Sequence, residues 1–349
     1  MPRLKPVIYA TLLSATFLSV TAFDAHATTP LFPDNPDDAT PLQLTLSTDL
    51  DTLMREGAEE QAGTLTLKSD EASQTFQIKV SPRGRSRQQR CRFFPLWLNF
   101  KKSEREGTLF AGQNKLKLVT HCNRTDSGKG YVGAEMLVYR LFNLLTDQSF
   151  RVRAVEMTYE DADSGRTRAH PAFLIEHKKT LAKRLDATSV DDPNPRIRDL
   201  HPEFSNRLAM FQYMVGNTDF SLVQGHGPDE CCHNAVPFTI AGDERGIVSI
   251  PYDFDATGFV DVPYAAPIPS LGIKRLTQRL FRGYCDHNDL ILGEIEHFQD
   301  MRSQIEDEIE NFKDLPNPNK KKQLRFLEGF YKTIESERAQ QKRLYNKCR

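Results

Sequence analysis

Residues 63–82 read GTLTLKSDEASQTFQIKVSP. Apolar and polar residues alternate on either side of a polar midpoint, so Leu65 and Leu67 share a face, as do Phe76, Ile78 and Val80. A period of two is that of a half-buried strand. Working outward, LQLTLSTDL (42–50) repeats the alternation, and LDTLMREGAE (50–59) between the two runs reads as a short helix. FFPLWLNF (93–100) and NKLKLVTHC (114–122) continue the strands, so residues 40–122 are predicted to be mostly β.

The period then changes. In GYVGAEMLVYRLFNLLTD (130–147), Met136, Tyr139, Leu141, Phe142 and Leu145 recur at helical spacing. FRVRAVEMTYED (150–161) and PAFLIEH (171–177) return to strand. The remainder is expected to be mostly helical: HPEFSNRLAMFQYMVGN (201–217) is an apolar helix ending at Gly216, and GIVSIPYDFD (246–255) is a short strand. Residues 288–313 and 320–347 are amphipathic helices broken by DLPNPN (314–319), which predicts an antiparallel hairpin. Their charged faces read as solvated surface.

The first residues bear on compartment. MPRLK is a short basic start, an apolar run follows, and Ala25-His26-Ala27 supplies the small residues of a cleavage site, which predicts a signal peptide over 1–27. Residues 28–41, rich in Pro, Asp and Thr, read as the mature tail. No later run is long and apolar enough to span a bilayer. The formal net charge of −1 gives no global pull toward nucleic acid or anionic membrane. Six cysteines in an exported chain favour disulfides. Cys91 and Cys122 flank neighbouring strand-like segments and are expected to pair, as are Cys285 and Cys348. Cys231 and Cys232 remain unassigned. The chain has no C-x-x-C pair for a zinc ribbon. His226 and His233 lack regular ligand spacing and read as loop or packing histidines.

The chemistry-bearing residues fall in a telling order. The apolar helix ends at Asn217-Thr218-Asp219, a loop carries His233-Asn234, and the next strand ends in Asp253-Phe254-Asp255. Taken singly, Asp219 fits a turn cap. Asp253 and Asp255 stand among apolar neighbours, where a buried carboxylate needs a metal or a cation. With a β-rich half bearing one helix ahead of them, these motifs resemble the secreted spore-coat CotH kinases and the broader atypical kinase-like families. The resemblance runs from about Ser81 to Arg282 and rests on order and context rather than close identity.

That resemblance implies an α+β, two-lobed protein-kinase-like fold: a β-rich N-lobe with one helix over 42–178, and a mostly helical C-lobe with a C-terminal hairpin over 179–349. It implies Asp219 as the catalytic residue that takes the acceptor proton. Asn234, or in second place Asn217, would hold a metal with Asp253, and Asp255, on the same strand face two residues on, would reach the same metal pair. Lys117, with Lys115 as fallback, would hold nucleotide phosphates and pair with Glu135 on the following helix. SPRGRSRQQR (81–90) resembles a phosphate-covering turn through Arg83, Gly84 and Ser86. Glu176 would lie at the interlobe hinge. The expected cofactors are ATP or another nucleotide with Mg2+ or Mn2+, and the expected partner is a protein, glycan or small-molecule acceptor, with no nucleic acid. The sequence departs from the ordinary pattern: it has no G-x-G-x-x-G, H-R-D or D-F-G, and Asp219 and Asn234 are fifteen residues apart. Nucleotidyl transfer on the same residues and a catalytically silent envelope or coat-assembly protein are the alternatives. Arg275, Arg279 and Arg282 lie on one predicted helical stripe, placed either to bind an anionic substrate or to pair with the acidic hairpin.

Overall fold

The computed structural model describes residues 30–69, 73–123, 126–191, 195–224 and 231–349. The predicted signal peptide lies outside them. The strands are β1 (Leu42–Thr48), β2 (Gln61–Lys68), β3 (Ser73–Pro82), β4 (Leu96–Phe100), β5 (Lys115–Val119), β6 (Val152–Asp161), β7 (Thr167–Ile175), β8 (Ala187–Ser189), β9 (Ala235–Ile240) and β10 (Asp243–Pro251). The α-helices are α1 (Leu50–Leu53), α2 (Arg85–Arg90), α3 (Lys102–Arg105), α4 (Asp126–Leu145), α5 (Lys178–Arg184), α6 (Pro202–Val215), α7 (Ile291–Asp300), α8 (Arg302–Asn311), α9 (Asn317–Ile334) and α10 (Glu337–Arg343).

The first seven strands close into a barrel in the order β1-β2-β3-β4-β5-β7-β6, and β1 seals it by pairing with β6 in parallel. The other six contacts are antiparallel. This corrects the expected architecture. The chain has a closed seven-stranded mixed barrel, a three-stranded sheet β10-β9-β8 and ten α-helices among the described residues, not a two-lobed kinase-like fold with a mostly helical C-lobe. The physical reason lies in β1. Its alternation gives one apolar face, but its backbone has two edges, and both are used: Leu44 pairs with Leu67 on one side and with Met157 on the other. Closure leaves no open edge to template aggregation.

Alternate positions fill the barrel, with Leu44, Leu46, Leu65, Phe76, Val80, Leu98, Leu116, Leu118 and Met157 all buried. Phe76 meets Phe110 edge-on at 5.1 Å, and Phe100 stacks on Phe110 at 4.9 Å. The outward positions of β5, Lys115 and Lys117, face away from this core.

The second core lies between barrel and helices. α4 packs against β6 and β7 on one side and against α6 and α8 on the other, burying Leu137, Val138, Phe142, Phe173 and Phe211 together. Gly133 of α4 is required there, because a Cβ would stand 2.0 Å from the Asp314 carbonyl oxygen. Both predicted hairpin arms are broken, the first at Met301 into α7 and α8 and the second after Ile334 into α9 and α10. Residues 273–284 are not helical, so the predicted arginine stripe does not exist as such. Disulfides join Cys91 to Cys122 and Cys285 to Cys348, as expected, and Cys231 joins its neighbour Cys232. No helix among the described residues is long and apolar enough to cross a membrane.

If the aromatic cluster anchors the barrel, Phe76→Ala lowers unfolding free energy by about 3–5 kcal/mol in urea titration, the cost of a large buried cavity. A loss below ~1 kcal/mol would show that the lumen is not tightly packed.

Candidate active site

Helix α6 ends at Gly216, whose φ of +65° turns the chain out of the helix. The next residues are then tied down. Asn217 accepts from the Asp219 backbone N–H at 2.8 Å, a local side-chain turn. Arg282 donates to the Thr218 and Phe220 carbonyl oxygens and so clamps both sides of Asp219. Burial holds the Arg282 guanidinium down to about 10. Arg279 is half-buried and donates to the Met214 and Phe326 carbonyls. Two of the three arginines of the predicted stripe, Arg279 and Arg282, are therefore struts.

The fifteen-residue gap closes in space. Ser221 and His233 exchange backbone hydrogen bonds at 3.0 Å, which returns the loop to its start. His233 Nε2 then meets Asp219 Oδ1 at 2.7 Å, and Asn234 Nδ2 donates to the Asp219 carbonyl at 2.7 Å and to Oδ2 at 3.2 Å. Asn234, rather than Asn217, is the amide that reaches the Asp219 carboxylate. It takes the left-handed conformation at φ +51°, which asparagine tolerates better than most residues. His226 lies outside the described residues.

Strand β10 delivers the opposite wall. The Tyr252 N–H donates to the Asn234 carbonyl at 3.0 Å, and the Asp253 N–H donates to the Tyr139 hydroxyl of α4 at 2.8 Å. Asp253 has φ +65°, a conformation that costs energy in a non-glycine residue and that collects at functional sites. Its carboxylate forms no direct hydrogen bond or ion pair among the described residues. Burial and then the neighbouring Asp255 charge lift this carboxyl above its ordinary range, while Arg83, Arg87 and Lys117 pull it back.

Asp255 is held. Arg87 Nε donates to Asp255 Oδ2 at 2.8 Å, Arg87 Nη2 to Glu135 Oε2 at 2.6 Å, and the Tyr264 hydroxyl to Asp255 Oδ2 at 3.0 Å. Glu135 therefore pairs with Arg87 and not with Lys117, as the resemblance had implied. Burial raises the Glu135 carboxyl to about 7 despite Arg87, and Asp255 and Asp253 add to the rise. Its second oxygen, Oε1, is buried without a hydrogen bond.

Lys117 projects from the outer face of β5 among aromatic rings. Its Nζ lies 4.1 Å from the Tyr252 ring centre and 5.8 Å from that of Trp97. Burial brings its ammonium down to about 7, Arg83 and Lys178 push the same way, and Asp253 opposes them. Lys115 and Arg83 also lie over Trp97, at 4.9 and 5.6 Å. Arg83, Gly84 and Ser86 line the same cavity of about 400 Å3 as Asp219, His233, Asn234, Asp253 and Asp255. Glu176 does not join them. It is buried in an ion pair with Arg184 at 2.9 Å and accepts from the Arg151 N–H, beside a different cavity.

Asp253 and Asn234 offer hard oxygen donors to a divalent cation. Among the described residues no group of three His, Cys, Asp or Glu could hold such an ion. An ion there would complete its shell with phosphate and water oxygens, the usual habit of Mg2+. The unpartnered, charge-surrounded Asp253 fits that role. Sequence reading missed Arg87, one basic residue among several in its turn, and His233, which resembled a packing histidine. No known family model and no curated protein matches this chain.

Glu135 has a folded value above its ordinary one, so the stability it contributes is present at low pH and lost as pH rises through about 7. Removing Arg87 enlarges that loss. Arg87→Ala is expected to cost about 3–5 kcal/mol at pH 8 and clearly less at pH 5, read from melting curves. Glu135→Gln in the Arg87→Ala background should flatten the pH dependence.

Proposed function

We propose that the cleft transfers a phosphoryl group from a nucleotide to an acceptor hydroxyl. The observation that carries the reading is the pairing of opposites across one cavity. An unpartnered Asp253 sits at a strained backbone position among Arg83, Arg87 and Lys117, facing an Asp219 oriented by His233 and Asn234.

In this reading Arg83 and Lys117 receive the anionic phosphates, and the Gly84–Ser86 turn lies against them. Asp253 and Asn234 would hold a divalent ion, with Asp255 beside it; such an ion supplies charge neutralisation on the phosphate oxygens. Asp219 accepts the proton of the attacking hydroxyl, and His233 fixes the carboxylate in position. The acceptor oxygen forms a bond to the terminal phosphorus, the bridging P–O bond breaks, and the nucleoside diphosphate leaves with that electron pair. Positioning and electrostatics carry the acceleration. Export is part of the proposal: three disulfides suit an oxidising compartment. The acceptor is a protein, glycan or small molecule bearing a hydroxyl.

The test is incubation with γ-labelled and α-labelled ATP under Mg2+ or Mn2+ against envelope extract. The expected result is transfer of the γ label, falling by about 100-fold or more in Asp219→Asn and Asp253→Asn, the scale of losing a general base or a principal electrostatic partner. Transfer of the α label would replace phosphoryl by nucleotidyl transfer. Transfer of neither label, with both variants folded, would overturn the enzyme reading in favour of a silent binding protein.

A further inference from the structure

The barrel holds a second cavity, away from the cleft. The register sets Met157 opposite His170 and Tyr159 opposite Arg168, and β6 alternates so that Val155, Met157 and Tyr159 face the lumen. The lumen is apolar up to Met157 and becomes polar at Tyr159 and His170. Beyond that level opens a cavity of about 280 Å3, lined by Phe93, His121, Tyr159, His170, Arg92 and Arg168 among others.

Its walls are aromatic and its rim is cationic. Phe93 stacks on His121 at 4.6 Å, His121 on His170 at 3.6 Å, and Tyr159 meets Phe93 edge-on at 4.5 Å. The acidic residues of the rim are occupied. Asp161 accepts from Ser164 and from the Leu50 N–H, and Asp51 pairs with Arg166 at 3.6 Å. Arg92 and Arg168 form no ion pair among the described residues. At the floor, Tyr159 is only 1% exposed and its hydroxyl has no hydrogen-bond partner among the described residues. A buried donor left unsatisfied carries a desolvation cost that a bound acceptor removes. Mouths of β-barrels are common ligand sites, where apolar walls and a few polar groups set orientation.

We propose that the barrel mouth binds a small oxyanion that carries a flat ring. The anionic group, carboxylate or phosphate, pairs with Arg168 and Arg92, and the ring lies against Phe93. An oxygen reaching the floor accepts from Tyr159. The site is separate from the cleft but shares one segment with it: Arg90 and Pro95 line the cleft, Arg92 and Phe93 line the mouth, and the Cys91–Cys122 disulfide fixes the stretch between.

Calorimetric titration of the whole folded chain tests this with three probes: benzoate, phenyl phosphate and uncharged benzyl alcohol. Saturable binding of benzoate, of phenyl phosphate or of both is expected, and the stronger arm identifies the anionic group. Benzyl alcohol should bind at least about tenfold more weakly. Arg168→Ala, on the exposed rim, should weaken the anion by about tenfold, the scale of one charge-assisted hydrogen bond. No saturable binding of either anion, or equal affinity in parent and Arg168→Ala, would overturn the proposal.

Discussion

Arg87 is the contact on which the cleft depends. Its guanidinium joins Glu135 of α4 to Asp255 beyond β10, and its own helix α2 follows directly on barrel strand β3. Three parts of the chain distant in sequence meet at this one side chain. The need is electrostatic: Glu135, Asp253 and Asp255 crowd a poorly solvated place, and carboxylates so arranged repel one another and resist ionisation. A planar guanidinium with a fixed fork of donors serves two of them at once in a set geometry that a lysine's rotatable ammonium lacks. Because Arg87 is spent on Glu135 and Asp255, Asp253 keeps its oxygens for whatever enters the cleft.

The barrel gives this arrangement a rigid wall. Its lumen-facing leucines and phenylalanines fix the strands, and strand alternation then sends Lys115 and Lys117 outward. Trp97 on the neighbouring strand β4 pairs with Lys117, and Lys115, Lys117 and Arg83 all gather around its indole ring. The opposite wall is fixed differently, through backbone contacts: Tyr139 holds the Asp253 N–H, and Arg282 holds the carbonyls on either side of Asp219. These holders fix the backbone at Asp253 and around Asp219, while His233 and Asn234 hold the Asp219 carboxylate itself.

Much of this was written in local pattern. The strands from Leu42 to Val119, helix α4 and the α6 stop at Gly216 follow from periodicity and glycine placement, because such signals act over a few residues. Closure did not follow, since the β1–β6 pairing joins segments about a hundred residues apart and either edge of β1 was equally available. The kinase-like expectation failed at that step and at the β8–β9–β10 sheet. Of the site, Asp219, Asn234, Asp253, Asp255, Arg83, Gly84 and Ser86 line one cavity, and Lys117, over the Tyr252 ring, is not among the residues that line it. Glu135 is present but takes a different partner, and Glu176 is an ordinary buried ion pair. Which cation meets a buried carboxylate is decided by tertiary packing, and Arg87 and Lys117 were equivalent on paper.

The most direct test is titration of a non-hydrolysable ATP analogue with Mn2+ across roughly pH 6 to 8.5, a span bracketing the Lys117 ammonium at about 7. The account predicts Mn2+-dependent binding that weakens as pH rises through that point and Lys117 loses its charge, and that disappears in Asp253→Ala. Absence of binding by the folded parent, or the same affinity in Asp253→Ala, would contradict it.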